Sequence, residues 1–328
     1  MKLLVVGGAG YIGSHFVKAA LLEGHIVTVF DNLQTGHRDA IDPKATFFQG
    51  DLRDPSALDS VFASSTFDAV IHFAANSLVA ESVKDPLKYF DNNVSGTIGL
   101  LQAMNRHQVK QLIFSSSAAV YGSHETMPIT EDYATVPTNP YGQTKLMMEQ
   151  IMRWCEAAYG IRYVSLRYFN VAGSWGDGTI GEDHRPETHL IPIVLQVPLG
   201  IRSEVTVFGD DYNTKDGTCI RDYIHVVDLA EAHLKALAFL VREQRSEIFN
   251  LGSQEGYSNL EILETARKTA IHPIPAGIGP RRPGDPDKLV ASSAKAKRML
   301  GWTPKRGIEN IVKDAWTFHQ AKPKGYDR

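Results

Sequence analysis

The chain has 328 residues, 43% hydrophobic and 22% charged, with a formal net charge of −3. This is enough apolar material for a substantial core in one large or two coupled domains, and the weak charge gives no reason to expect nucleic acid or an anionic membrane as a partner. Two cysteines make no disulfide framework, no apolar run reaches membrane-spanning length, and the first residues run straight into a glycine motif without a cleavage region, so a cytoplasmic location is expected.

Residues 3–6 form a continuously apolar run, as a buried parallel strand requires. Gly7-Gly8-Ala9-Gly10-Tyr11-Ile12-Gly13 follows, and a helical pattern runs over 11–23. Glycines at 7, 10 and 13 let the backbone turn tightly and approach a pyrophosphate, to which the helix N-terminus offers unpaired N–H groups and partial positive charge. The spacing Gly-x-x-Gly-x-x-Gly is weak as a pattern, but its strand–loop–helix setting predicts dinucleotide binding. A second strand over 25–30 ends at Asp31-Asn32. A carboxylate about twenty positions past the glycines accepts from ribose hydroxyls and repels a 2′-phosphate, which favours NAD over NADP. The third strand starts at Thr46 and leads to Asp51-Leu52, with Asp51 expected to face the adenine. The fourth, over 68–75, ends in Phe73-Ala74-Ala75, whose alanines leave room for a nicotinamide ribose. A long helical pattern over 81–107, broken near Pro86, carries Asn92, a candidate contact to cofactor or to backbone.

A fifth strand over 111–114 ends in Ser115-Ser116-Ser117, at the edge where open α/β sheets bind ligands. A loop over 123–139 leads to Pro140-Tyr141-Gly142-Gln143-Thr144-Lys145. On a helix, Tyr141 and Lys145 share one face with Cβ atoms about 5–6 Å apart. A tyrosine with a pKa of about 10 must drop by roughly three units, about 4 kcal/mol, to act as a base near neutral pH. A neighbouring ammonium supplies part of that. A sixth strand over 161–166 ends at Arg167-Tyr168-Phe169-Asn170.

Past Gly173 the pattern changes: residues 174–186 are rich in glycine, aspartate and charge and read as a loop over the site. His184 and His189 have no third ligand at a recognisable spacing, so no metal site is expected. Residues 188–197 look helical, and Val205-Thr206-Val207-Phe208-Gly209 is a short strand whose edge and ring suit uracil. Arg221 and Arg282 carry guanidinium groups of the shape that grips a diphosphate. A helix over 226–240, a strand over 247–251 and a helix over 258–270 follow, then a proline- and glycine-rich stretch over 272–286 that suits a substrate loop. The fold class expected is α/β: a Rossmann-type doubly wound parallel sheet in 1–173 and a smaller α/β substrate domain in 174–328, part of which is free to return to the first.

The glycine motif, Ser115-Ser116-Ser117 and Tyr141-x-x-x-Lys145, in that order, resemble the extended short-chain dehydrogenase/reductase family. Residues 70–75, 89–94, 115–122, 139–142, 167–173, 216–226 and 281–285 are similar to its UDP-glucose 4-epimerase branch, with 216–226 the most specific block. The resemblance covers essentially the whole chain. It implies NAD held by Gly7, Gly10, Tyr11, Ile12, Gly13, Asp31, Asn32, Asp51, Leu52, Phe73, Ala74, Ala75, Ser77, Asn92, Ser117, Tyr141, Lys145, Tyr168 and Phe169. It also implies that Ser117 and Tyr141 flank the reacting hydroxyl, and that Lys145 holds the nicotinamide ribose and lowers the tyrosine pKa. Tyr141 would take the proton from the sugar 4-hydroxyl as hydride leaves C4, and the 4-keto sugar would turn over and be reduced on its other face, interconverting UDP-glucose and UDP-galactose. The UDP-sugar contacts implied are Ser117, Tyr141, Asn170, His189, Leu190, Thr206, Val207, Phe208, Arg221, Arg282, Asp285 and Leu289. Residues 92–107 and 142–159 resemble the helices of the family's homodimer.

Departures bear on the substrate. Some members carry lysine where Ser77 stands, and many carry asparagine where His189 stands. Leu289 occupies a position bordering the sugar C2 substituent, where a bulky tyrosine is associated with excluding N-acetyl groups, so UDP-N-acetylglucosamine stays open as a substrate, as do UDP-pentoses and UDP-uronates. A sugar-nucleotide 4,6-dehydratase needs an acidic pair that Ser117-Ala118-Ala119 does not offer, and a non-catalytic NAD-sensing regulator has no need of Tyr141 and Lys145.

Overall fold

Six apolar runs from the first half of the chain and one from the second line up as a single parallel sheet in the computed structural model, which describes residues 1–282 and 286–326. Strands β1 (Lys2–Val6), β2 (Ile26–Asp31), β3 (Thr46–Gln49), β4 (Ala69–His72), β5 (Gln111–Ser117) and β6 (Arg162–Tyr168) are connected through α1 (Tyr11–Leu22), α2 (Pro55–Ser64), α3 (Val79–Lys84), α4 (Pro86–Tyr89), α5 (Gly96–Arg106) and α6 (Pro140–Tyr159). There follow β7 (Asn170–Ala172), α7 (Leu190–Leu195), β8 (Val205–Phe208), β9 (Ile220–Arg221), β10 (Tyr223–His225), α8 (Val226–Glu243) and β11 (Glu247–Leu251). The chain ends with β12 (Tyr257–Ser258), α9 (Asn259–Ala270), β13 (Ala276–Gly279), β14 (Lys288–Leu289), α10 (Ala294–Leu300) and α11 (Ile308–Ala321).

The order across the large sheet is β11-β6-β5-β4-β1-β2-β3, with every pairing parallel. Helices cover both faces, which is why Leu3, Leu4, Val5 and Val6 are all buried without alternation. Phe16 and Val17 of α1 and Leu229 and Leu237 of α8 pack on one face, and Leu58, Leu100, Met104 and Met148 on the other. The C-terminal half therefore returns to the sheet through α8 and β11. The winding direction changes between β1 and β4, and a crevice opens there at the carboxyl ends of the strands.

The expected helix over 81–107 is broken into four pieces, α3, α4, a π-helical turn over Phe90–Ser95, and α5. Pro86 has no N–H to continue α3, and the Asp85 side chain instead caps α4 by accepting from the Lys88 N–H. Helix α2, beyond the elements expected above, starts at a local signal: Asp54 accepts from the N–H groups of Ser56 and Ala57, and Pro55 stands at the first helical position. The smaller C-terminal part buries Val194, Leu195, Val207, Ile262 and Ile311 between α7, α9, α11 and the β8–β13 pair. Among the described residues no helix is long and apolar enough to cross a membrane.

Candidate active site

A cleft of about 910 Å3 runs from the glycine loop, across the carboxyl ends of β4, β5 and β6, to β8 and Arg282. Its first wall is the β1–α1 turn. Gly7 has φ +79°, and a Cβ there would lie 2.4 Å from the Ala74 backbone nitrogen; at Gly13 it would lie 2.2 Å from the Gly7 carbonyl oxygen. These two glycines are fixed by packing of backbone on backbone. Gly10 is different: a Cβ would meet only the Gly7 oxygen, at 3.4 Å, so its absence leaves room on the cleft side. A backbone cradle at the start of a helix, open where a side chain would intrude, fits a pyrophosphate.

Asp31 closes the next part of the wall. Its carboxylate accepts from the Ala9 N–H at 3.0 Å and the Leu33 N–H at 2.8 Å. Burial raises its pKa while these two N–H groups pull the other way. Asn32 donates to Asp51 at 2.9 Å, and the Arg53 guanidinium beside Asp51 holds that carboxyl well below the usual range. Leu52, Phe73, Ala74, Ala75, Ser77 and Asn92 continue the lining, with the Asn92 amide donating to the Asn93 side chain at 2.9 Å. This half has the polar donors, acceptors and apolar shelves that a dinucleotide needs.

The central group is set by α6. Asn139 caps it by accepting from the Gly142 N–H at 2.9 Å, and Pro140 starts it. A Cβ on Gly142 would lie 2.4 Å from the Ala119 carbonyl oxygen, so only glycine lets α6 come this close to the turn after β5. That approach brings the Tyr141 side chain to the cleft wall beside Ser117. Lys145, one turn on, donates through Nζ to the Ser115 carbonyl at 2.7 Å and lies 6.0 Å from the Tyr141 ring centre. Burial pushes the Lys145 ammonium down to about 7, opposed by the Glu149 carboxylate. Burial raises the Tyr141 pKa, and Ser117 opposes that rise.

Beneath them lies a buried network that the sequence reading missed. Arg167 donates to both oxygens of Glu149, at 3.0 and 2.5 Å, and to the Tyr121 hydroxyl at 2.9 Å. Ser116 donates to Glu149 at 2.6 Å. The signal was available, because Glu149 stands four residues past Lys145 on the same helix face.

The far half is lined by Tyr168, Phe169, Asn170, His189, Leu190, Thr206, Phe208, Arg221 and Arg282. Arg221 donates to the carbonyls of Ile220 and Pro286, each at 2.9 Å, and the Arg282 guanidinium lies 4.3 Å from the Phe208 ring centre. Two expected contacts fall elsewhere. Val207 is buried in the core, and β8 meets the cleft through Val205, Thr206 and Phe208. Leu289 packs with Val120, Tyr121 and Phe169 and does not line the cleft. Asp285 lies outside the described residues. The view that His184 and His189 stand without further ligands also needs correction, since Glu182 and Glu187 meet them on the cleft wall.

Comparison with known proteins gives a match over residues 3–252 to the NAD dependent epimerase/dehydratase family. The chain is 56% identical to the UDP-glucose 4-epimerase of Lacticaseibacillus casei, over 99% of each chain. A crystal structure of a UDP-glucose 4-epimerase, 52% identical, superposes with a TM-score of 0.98 over 100% of both chains. That of the Bifidobacterium longum enzyme in complex with NAD+ and UDP, 41% identical, gives 0.93 over 99% of this chain and 100% of the other.

Proposed function

The chain belongs to the NAD dependent epimerase/dehydratase family, and from that premise we propose that it is an NAD-dependent enzyme interconverting UDP-glucose and UDP-galactose by inversion at C4. The observation that carries this reading is the grouping of Tyr141, Ser117 and Lys145 on one cleft wall, with a dinucleotide cradle at one end of the cleft and two arginines at the other. Gly7 to Gly13, Asp31, Asn32, Asp51 and Lys145 hold the cofactor in this reading. When bound, its oxidised nicotinamide supplies a positive ring that favours the phenolate and an acceptor for the hydrogen on sugar C4. Tyr141 takes the proton of the sugar 4-hydroxyl and later returns it, while Ser117 holds the same oxygen. Arg221 and Arg282 grip the diphosphate, and Phe208 and Thr206 flank the base. A tightly held nucleotide and a loosely held sugar let the keto sugar turn over between the two half-reactions.

Incubation of the purified protein with UDP-galactose and NAD, followed by product separation, is expected to yield UDP-glucose. Parallel incubations with UDP-N-acetylgalactosamine and UDP-xylose identify the alternative sugars. Conversion of one of those alone would replace the substrate assigned here, and no conversion of any would overturn the reading.

We also infer a homodimer formed through α5 and α6. These helices pack side by side, and near them Trp154 and Leu87 remain 73% and 77% exposed. Sedimentation should give twice the chain mass, and a monomer at micromolar concentration would remove the inference.

A further inference from the structure

Four ionisable side chains on the cleft wall stand apart from the proposed chemistry of Tyr141 and Ser117. They belong to the segment Glu182-Asp183-His184-Arg185-Pro186-Glu187-Thr188-His189. Glu182 is almost fully buried, and the side chain of Glu187 is only 8% exposed. The ion pairs of both carboxylates are with the same two imidazoles. His189 Nδ1 lies 2.9 Å from Glu182 and 3.1 Å from Glu187, and His184 Nδ1 lies 3.2 and 3.7 Å from the same two groups. One donor atom from each of the four falls within 4.8 Å of all the others.

We propose that Glu182, His184, Glu187 and His189 bind a divalent transition-metal ion of the zinc type. Zinc takes imidazole nitrogen and carboxylate oxygen at about 2.0–2.1 Å, so a tetrahedral site has donor–donor edges of about 3.3–3.4 Å. The His–carboxylate separations of 2.9–3.7 Å lie around that value, with His189 meeting Oε1 of Glu187 and His184 its Oε2, and a single set of four donors, spread within 4.8 Å, has to draw together on an ion. Both histidines turn Nδ1 toward the same two carboxylates, so the two nitrogens converge on one point. Charge points the same way. Two buried carboxylates need two positive charges, and a dication supplies both while leaving the imidazoles neutral. Without an ion the two imidazolium groups supply them, since, against burial, Glu182 and Glu187 raise both histidines, so a bound dication has to displace those protons. Two nitrogens and two carboxylates, with no thiolate, suit zinc, cobalt or manganese and not a soft monovalent ion.

The site is anchored at both ends. Gly181 fits only because it has no side chain, since a Cβ would lie 2.3 Å from the Phe318 ring, and its N–H donates to the Tyr326 hydroxyl at 3.0 Å. His189 stands at the N-terminal cap of α7. Glu187 is bent back so that Oε1 accepts from the N–H groups of Thr188 and His189, both at 2.8 Å. An ion held here ties the loop after β7 to α7. It also fixes the wall between Tyr11, whose ring lies 6.1 Å from that of His184, and the sugar-nucleotide half of the cleft.

The test uses the full-length protein with its bound nucleotide, stripped with a chelator and titrated with Co2+. One equivalent should bind with the visible absorption of tetrahedral cobalt, and Zn2+ should displace it. The double variant His184→Asn/His189→Asn should lose the band and bind more weakly by more than the roughly 10–100-fold that removal of an outer-shell partner costs. If that variant does not fold, hydrogen exchange on the wild type decides: Zn2+ should slow exchange of the backbone amides over 182–189. Stripped wild type taking up no more cobalt than a folded double variant, or exchange unchanged by zinc, overturns the proposal.

Discussion

Tyr141→Phe is expected to leave the fold and cofactor retention intact and to lower turnover of UDP-galactose by about 10²–10⁴-fold, the range that a positioned acid–base group contributes. The phenol ring is held by its place on α6 and by the Tyr141 N–H, which donates to the Ser82 hydroxyl at 3.2 Å. Phenylalanine keeps the ring and that backbone contact. It removes only the hydroxyl. The loss should fall on kcat with KM little changed, because the proton moves in the transition state and not on binding. Burial raises the pKa of this phenol and Ser117 opposes the rise, so a base near neutral pH also needs the positive charge of the bound cofactor and of Lys145. Turnover within a few-fold of wild type would remove Tyr141 from the chemistry.

Arg167→Met should be the most damaging single change to stability that leaves the cleft lining untouched. Arg167 and Glu149 have side chains only 5% and 4% exposed. Removing one partner leaves a buried charge without compensation, at a cost of about 3–5 kcal/mol. Replacing both by methionine should recover most of that, because the remaining polar partners are hydroxyls. Urea unfolding of the two single variants and the double variant measures the coupling. Equal and additive losses would mean that the pair is held by packing alone. The network also ties β5 to α6 through Ser116, so the double variant should keep its stability better than its turnover.

The sequence made the sheet legible where strands are buried on both faces, because continuous apolar runs such as residues 3–6 have no alternative home. Glu247–Leu251 was legible as a strand, but its partner was not. Pairing with β6 depends on α8 crossing back over α1, which no local pattern encodes. The strands β7, β9, β12 and β14 have two or three residues each and are fixed by their neighbours in space. Helix α11, with Ile311, Val312, Ala315 and Phe318 buried at helical spacing, carried a periodicity that was passed over. In the site, the glycine turn and Tyr141 with Lys145 were readable because each has a local geometric cause. The Glu182–His189 cluster was not. Its four donors are irregularly spaced, and only the path of a loop brings them together. Val207 was misplaced for a simpler reason: the alternation of β8 was visible, but which face met the cleft was not.

A crystal structure of the protein with NAD and UDP-glucose tests the proposed chemistry most directly. The sugar 4-oxygen should lie within hydrogen-bond range, about 2.6–3.2 Å, of both the Tyr141 and the Ser117 hydroxyls. A sugar whose 4-oxygen is held by other groups, with the Tyr141 hydroxyl turned away in a complex that still turns over, would contradict it.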